Sequence, residues 1–395
     1  MQPFSELDVL DFTQSIAGPS CTQRLATLGA NVVKVEPPGG DAFREVADGA
    51  IFASFNLGGK QSLALDLTTE RGREVAADLA AEADVVLESF RPGVMERFGL
   101  DYESVRETNE DVVYCSITGF GQDGPYAEDP AYDPVVQAMS GLMSVTGYAD
   151  RPPVRLGTSA IDCATGTNAA FLVVAALRER DRGGGGQHVD VSLFDVAVSW
   201  MAYRIAQYVE TGETPTRAGT SMEGTVPNDI YYARDGEPLY VIAVNDRLFE
   251  RLCAAVGREG LADDERFASN DARQEHEEAL REELESAFRD YEQEELHRRL
   301  AGAGVPAGPV QTIDELVDED PHVAARDLLV SVRNVRTDAA TKTPRFPGRT
   351  RDGTPEPGDR PPELGEHSAA VLASMGYSED RIAELIESGA VRGPS

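Results

Sequence analysis

The sequence predicts an α/β protein: a large Rossmann-like domain built on a parallel sheet, joined to a smaller α/β domain. Three observations carry that expectation. Short apolar, β-branched runs alternate with helical patterns over the first 120 residues, as in a sheet covered by helices on both faces. A length of 395 residues exceeds one ordinary core and predicts two domains. After Gly212 the pattern changes to a hairpin followed by acidic helices.

The elements follow in order. An apolar run at 7–12 reads as a first strand, Ala17-Gly18-Pro19 as a loop, 21–28 as a helix stopped by Gly29, and 31–35 as a second strand ending before Glu36 and two prolines. The alternation continues with a strand at 62–67, a helix at 69–82, a strand at 84–88, a helix at 93–98 and a strand at 112–117. A long helix is expected over 165–180, four glycines at 183–186 read as a turn, and a strand at 189–192 leads into a helix over 193–210. An Asp235-Gly236 turn between 230–233 and 239–244 predicts a hairpin. Leu280, Leu284, Ala287, Phe288 and Tyr291 recur at helical spacing beside an acidic face. A further helix is expected around 296–300, and Thr312-Ile-Asp-Glu315 has the form of a capping box. Residues 335–366, rich in Pro, Gly and Arg, read as a linker, and two short helices at 368–375 and 379–388 each end before a glycine. The expected division is 1–215 for the large domain, 216–325 for the small one, and 326–395 for a linker and helices returning to the large domain.

Charge narrows the function. The chain holds 36 Lys+Arg against 69 Asp+Glu, a net charge of −33. That excess repels a phosphate backbone and an anionic bilayer, so neither nucleic acid nor membrane is an expected partner. Only Lys34, Lys60 and Lys342 are lysines. An acidic surface nearly free of lysine fits a halophilic protein, since the Debye length falls to ~3 Å at 1 M salt. The longest unbroken apolar run, 169–177, is shorter than the ~18 residues of a bilayer span. With no basic, hydrophobic leader, a cytoplasmic location is expected.

The motifs exclude several chemistries. The first turn, Gln14-Ser-Ile-Ala-Gly-Pro19, lacks the glycines of a dinucleotide fingerprint, and no P-loop pattern occurs. Four isolated cysteines and five scattered histidines offer neither zinc spacing nor HExxH. Cys21 and Cys163 sit among small apolar residues, the setting of inert packing thiols. Two segments stand out. Asp162, in Asp162-Cys-Ala-Thr-Gly166, stands at the mouth of the long apolar helix. It is either an ordinary N-cap or a nucleophilic carboxylate with room for a ligand beside it. The segment Glu88-Ser89-Phe90-Arg91-Pro92-Gly93 follows a strand and opens a helix, with Arg97 further along. Its arginines can fork onto phosphate or pair with local acids, and Phe90 can stack on a base.

Together with Lys60-Gln-Ser-Leu-Ala-Leu-Asp66, Thr118-Gly-Phe-Gly-Gln-Asp-Gly-Pro125, Tyr132-Asp133, Gln137-Ala-Met-Ser-Gly141 and Gly186-Gln-His-Val-Asp-Val-Ser192, these segments resemble the class III CoA-transferases over nearly the whole chain. The resemblance implies that Asp162 is the catalytic aspartate, carrying a mixed anhydride and then an aspartyl-CoA thioester. It implies that Ile16, Leu65, Ser89, Phe90, Arg91 and Arg97 contact CoA, and that Tyr132, Asp133 and Gly219 serve the acyl substrate. It also implies an interlocked-ring homodimer with no permanently bound cofactor and no metal, working on CoA thioesters and small dicarboxylates. Ile16, Ser89 and the loop at 219–226 depart from the formyl-CoA transferase pattern, which argues against formyl-CoA or oxalate. The expected donor is succinyl-CoA and the expected acceptor mesaconate, with malate or citramalate as alternatives and an α-methylacyl-CoA racemase as a further one.

Overall fold

The computed structural model describes residues 2–349 and 353–393. One compact unit comprises the chain up to Leu142, Arg155–Gly212 and the chain from His322 onward; the other comprises Met143–Val154 and Glu213–Pro321.

The first unit is built on a seven-stranded sheet. Its strands are β1 (Asp8–Asp11), β2 (Asn31–Glu36), β3 (Gln61–Leu65), β4 (Val85–Glu88), β5 (Val113–Thr118), β6 (Gln187–Ser192) and a late one, β12 (Val391–Arg392). Their order is β12-β3-β2-β1-β4-β5-β6, all parallel except β12. The strands from β3 to β6 have the order 3-2-1-4-5-6 of doubly wound dinucleotide folds, and the order reverses between β1 and β4.

Side chains alternate across this sheet. Val9, Val32, Val85, Leu87, Val113 and Cys115 join one core, while Leu10, Val33, Val86 and Tyr114 join the other. The first core is closed by α1 (Ala17–Thr27) and by later helices of the unit. The second is closed by α3 (Glu70–Glu82), which Thr69 caps through Gly72 N–H, and by C-terminal helices. Short helices α2 (Ala50–Phe55), α4 (Val94–Phe98), α5 (Tyr102–Arg106) and α6 (Asp133–Met139) fill the connections.

Several expectations change here. Helix α7 runs Ala160–Glu179, five residues earlier at its start than expected, because its cap is supplied from elsewhere in the chain. Asp162 is therefore not an N-cap but lies inside the first turn. Over an 18-residue window α7 is apolar enough to cross a membrane, since its scattered Thr and Asn do not offset the alanines and valines. Yet eight of its residues are buried in the domain core, against α1 and β5. The helix expected over 193–210 breaks at Met201 into α8 (Leu193–Trp200) and α9 (Ala202–Thr211).

In the second unit the expected hairpin is β7 (Asn228–Tyr232) and β8 (Pro238–Ile242), extended by β9 (Ala307–Pro309). Helices α10 (Asp246–Ala255), α11 (Asn270–Glu275), α12 (Glu277–Phe288) and α13 (Gln293–Gly302) enclose Leu239, Phe249, Leu284 and Phe288. Helix α14 (Ile313–Asp318) carries the expected capping box of Thr312 and Glu315. After α15 (Pro321–Arg326) the expected linker instead begins with a hairpin, β10 (Leu329–Arg333) and β11 (Ala340–Pro344). Residues 350–352 of that linker lie outside the described residues. Helices α16 (Ser368–Ser374) and α17 (Glu379–Glu387) then return to the sheet, and β12 pairs with β3.

Candidate active site

The carboxyl ends of β1, β4 and β5 open onto a cavity of about 260 Å³, at the point where the strand order reverses. The loop after β1 supplies Gln14, Ser15, Ala17 and Gly18; the loop after β4 supplies Ser89, Phe90, Arg91 and Pro92; the end of β5 and the segment 127–132, with Asp129 and Tyr132, add to the lining beside Asp162. Gln14 N–H donates to Ser89 Oγ at 2.9 Å, tying the two loops together across the reversal. Ser15 has φ +68°, a left-handed conformation that a serine holds only when its surroundings enforce it.

Behind the β1 loop lies a sealed ionic network. Asp11 is fully buried and accepts from Thr13 N–H at 2.9 Å and from Thr22 Oγ1 at 2.6 Å, with Lys60 Nζ at 3.5 Å. Lys60 donates to Pro19 O, Thr22 Oγ1 and Asn56 Oδ1, and Lys34 to Thr13 O at 2.7 Å. Burial pushes the Asp11 carboxyl up, but Lys60, Lys34 and the two threonine hydroxyls outweigh it and hold it below its usual value.

Asp162 is placed by two unusual contacts. Its helix packs backbone to backbone on α1: a Cβ added at Gly166 would stand 2.4 Å from Ala17 O and 2.9 Å from Ser20 Cβ, so only glycine allows the approach. Ser159, the residue before α7, makes no side-chain cap. Instead Asp133, 2% exposed at the start of α6, reaches over. Its Oδ2 accepts from Ile161 N–H at 2.8 Å and Asp162 N–H at 3.1 Å. Gln137, one turn later, donates to Asp133 Oδ1 and accepts from Leu156 N–H at 2.9 Å.

Among the described residues no cation and no hydrogen-bond donor reaches the Asp162 carboxylate. Burial pushes it up to about 7, and the neighbouring Asp133 charge pushes the same way. A half-buried, unpaired carboxylate beside a cavity is an available nucleophile. Cys163 is the poorer one, because burial raises its thiol further, despite Arg24 nearby. No cluster of three or more His, Cys, Asp or Glu suited to a metal occurs among the described residues.

The other expected site residues divide. Ser89, Phe90, Arg91 and Tyr132 line the cavity with Asp162, and Tyr132 is 66% exposed. Asp133 lies behind Asp162 as its cap. Ile16 is buried at the start of α1, between the lining residues Ser15 and Ala17. Leu65 is 1% exposed within β3, packed in the second core, and its side chain does not line the cavity. Arg97 is exposed on α4 and does not line it either. Gly219 belongs to the second unit, at φ +67°, where an added Cβ would stand 2.7 Å from the Tyr148 ring. Sequence reasoning missed Gln14, Ser15 and Gln137 as parts of the site. The i, i+4 spacing of Asp133 and Gln137 was the available signal for the last.

Residues 4–368 match the family model described as CoA-transferase family III. A succinyl-CoA:mesaconate CoA-transferase of Haloarcula hispanica is 38% identical, over 97% of this chain and 99% of that protein. An acetyl-CoA:oxalate CoA-transferase of Acetobacter aceti is also 38% identical, over 95% and 97%. Among solved structures, a CAIB/BAIF family protein from Brucella suis superimposes with a TM-score of 0.85 at 38% identity, covering 95% of this chain and 99% of that one. Overall identity is equal to the mesaconate and the oxalate enzyme, so it does not choose between those acceptors.

Proposed function

Because the chain belongs to CoA-transferase family III and is an enzyme that transfers CoA, we propose that it carries CoA from succinyl-CoA to mesaconate through a thioester on Asp162. The single observation that carries the mechanism is the unpaired Asp162 carboxylate at the cavity.

Asp162 attacks the succinyl thioester carbonyl and expels CoA thiolate, leaving a mixed anhydride. The thiolate attacks the aspartyl carbonyl of that anhydride, releasing succinate and forming the aspartyl-CoA thioester. The acceptor carboxylate attacks this thioester and expels the thiolate again. The thiolate then takes the acceptor's acyl group, and the Asp162 carboxylate is restored. The exchange begins and ends with a CoA thioester, and its first step needs Asp162 ionised on arrival of substrate. The β1 and β4 loops, with Ser89, Phe90 and Arg91, hold the donor thioester, and Tyr132 faces the acyl group. Ile16, Leu65 and Arg97 meet CoA further from the reacting carbonyl, Leu65 through its backbone.

The acceptor assignment rests on likeness to the Haloarcula hispanica enzyme and on the acidic, lysine-poor composition, which also supports a halophilic setting. A panel of C4 and C5 carboxylates with succinyl-CoA, read by thioester product, tests it. Mesaconyl-CoA should form fastest; faster transfer to citramalate, malate or oxalate would reassign the acceptor. A racemase needs a base on each face of the α-carbon, and the cavity offers the Tyr132 phenol rather than a histidine at this position. No deuterium should enter a 2-methylacyl-CoA in deuterated water.

The enzyme works as a homodimer in this reading. Phe171, Leu172, Trp200, Tyr203, Ile205, Tyr208 and Val209 are all exposed on α7, α8 and α9, and α9 has no buried residue. A second copy covers such a face. Sedimentation as a monomer at micromolar concentration would refute this.

A further inference from the structure

Glu88 closes β4 and is 4% exposed, although it is a carboxylate at the open end of the sheet. It does not line the cavity. Its register partner on β5 is Ser116, whose own partner on β6 is Asp190, so the three stand in one row on one face of the sheet. Burial pushes the Glu88 carboxyl up to about 7 although Ser116 and Phe90 N–H both oppose the shift, and Asp190 adds to it. A carboxyl buried at such a cost needs a use beyond filling space.

Its contacts run to the loop that follows. Glu88 Oε2 accepts from Phe90 N–H at 2.8 Å. Ser116 Oγ lies 3.0 Å from His188 Nε2, and His188 is stacked on Tyr102 at 5.1 Å and edge-on to Tyr114 at 5.5 Å. Ser116 has one proton to give. When Glu88 is ionised it only accepts, so that proton goes to Glu88 and Ser116 accepts from His188 Nε2–H. In that form donation runs from the ring-clamped His188 through Ser116 to Glu88, while Phe90 N–H donates to Glu88 from the loop. This is the only side-chain anchor on the backbone of 89–92 among the described residues, the segment that places Ser89, Phe90, Arg91 and Pro92 at the cavity.

We propose that Glu88 is a positioning residue for the donor thioester: through Phe90 N–H it fixes the 89–92 loop, and Ser116 and His188 fix Glu88. The proposal rests on the CoA-transferase reading above.

Steady-state kinetics with succinyl-CoA and the preferred acceptor test it, alongside thermal melting of each variant. Glu88→Ala should raise KM for succinyl-CoA about tenfold or more, while kcat falls less and KM for the acceptor stays within about twofold. Glu88→Gln should stay within about threefold of wild type on every parameter. Its amide oxygen still accepts from Phe90 N–H, and its amide N–H donates to Ser116, which then donates to the other His188 tautomer. Ser116→Ala should raise the same KM by about threefold. A merely structural role would lower melting temperature without this split. A folded Glu88→Ala with unchanged KM overturns the proposal, as does Glu88→Gln as impaired as Glu88→Ala. If Glu88→Ala does not fold, an unchanged KM in Ser116→Ala overturns it. Wild type that moves CoA from succinyl-CoA to no acid overturns the functional reading and this proposal together; an active wild type with an indifferent Glu88→Ala overturns this proposal alone.

Discussion

Asp11 and Asp162 are both aspartates withdrawn from water in the same unit, and they are provided for in opposite ways. Asp11 has two lysines, two hydroxyls and a backbone N–H around it, and its carboxyl is held below its usual value. Asp162 has only another carboxylate for company, and its own rises to about 7. The first is an acid whose charge is fully neutralised and serves architecture. The second is an acid whose charge is left unanswered, which is the condition of a group waiting for substrate. Burial alone does not distinguish a structural acid from a reactive one; the partners do.

The largest effect should come from Asp162 itself. Asp162→Ala and Asp162→Asn should lower CoA transfer by at least about a thousandfold with the fold intact by circular dichroism, because each removes the carboxylate on which the thioester would form. Substantial turnover by either variant would erase the contrast with Asp11.

On the other side, Lys60→Met should strip Asp11 of a buried partner and cost about 3–5 kcal/mol of stability, read by urea denaturation. Molecules that remain folded should keep their pH dependence. A variant as stable as wild type would show that the network holds nothing together.

The two acids at the start of α7 sharpen the comparison. The wild-type rate should rise with pH through about 7 as Asp162 ionises. Asp133→Asn removes the neighbouring charge but leaves burial, the larger cause, in place. The acid limb should therefore shift downward by no more than about one pH unit. An unmoved limb would mean that burial alone sets Asp162.

A smaller effect concerns stability. Asp162 binds its proton more tightly folded than unfolded, so wild-type stability should fall as pH rises from about 4 to 7, and the full cost should remain above that. Asp162→Asn cannot ionise. Its melting temperature should match wild type near pH 4 and exceed it at pH 8. The smallest effect is expected of Cys163→Ala, within about twofold of wild-type rate, since the thiol is held un-ionised.

Much of the first unit was legible in the sequence, because parallel strands buried on both faces read as short apolar runs. The strand order was not, since periodicity says nothing about which strands are neighbours. The early start of α7 was hidden because its cap, Asp133, lies 28 residues before Ile161 and donates nothing to local pattern. The break at Met201 has neither glycine nor proline to announce it, and β12 is two residues long, too short for any alternation. In the candidate site, Asp162 and the 89–91 loop were readable as motifs. The burial of Leu65 and the distance of Arg97 from the cavity lining were not, because a resemblance transfers positions without their side-chain directions.

The most direct test is to find where the covalent intermediate forms. The enzyme is incubated with succinyl-CoA without acceptor, treated with hydroxylamine, digested, and its peptides weighed by mass spectrometry. A hydroxamate on Asp162, present only after exposure to the thioester, is the predicted result, with loss of activity in parallel. Modification at Cys163 instead, or none at Asp162 in an enzyme that still turns over, would contradict the account.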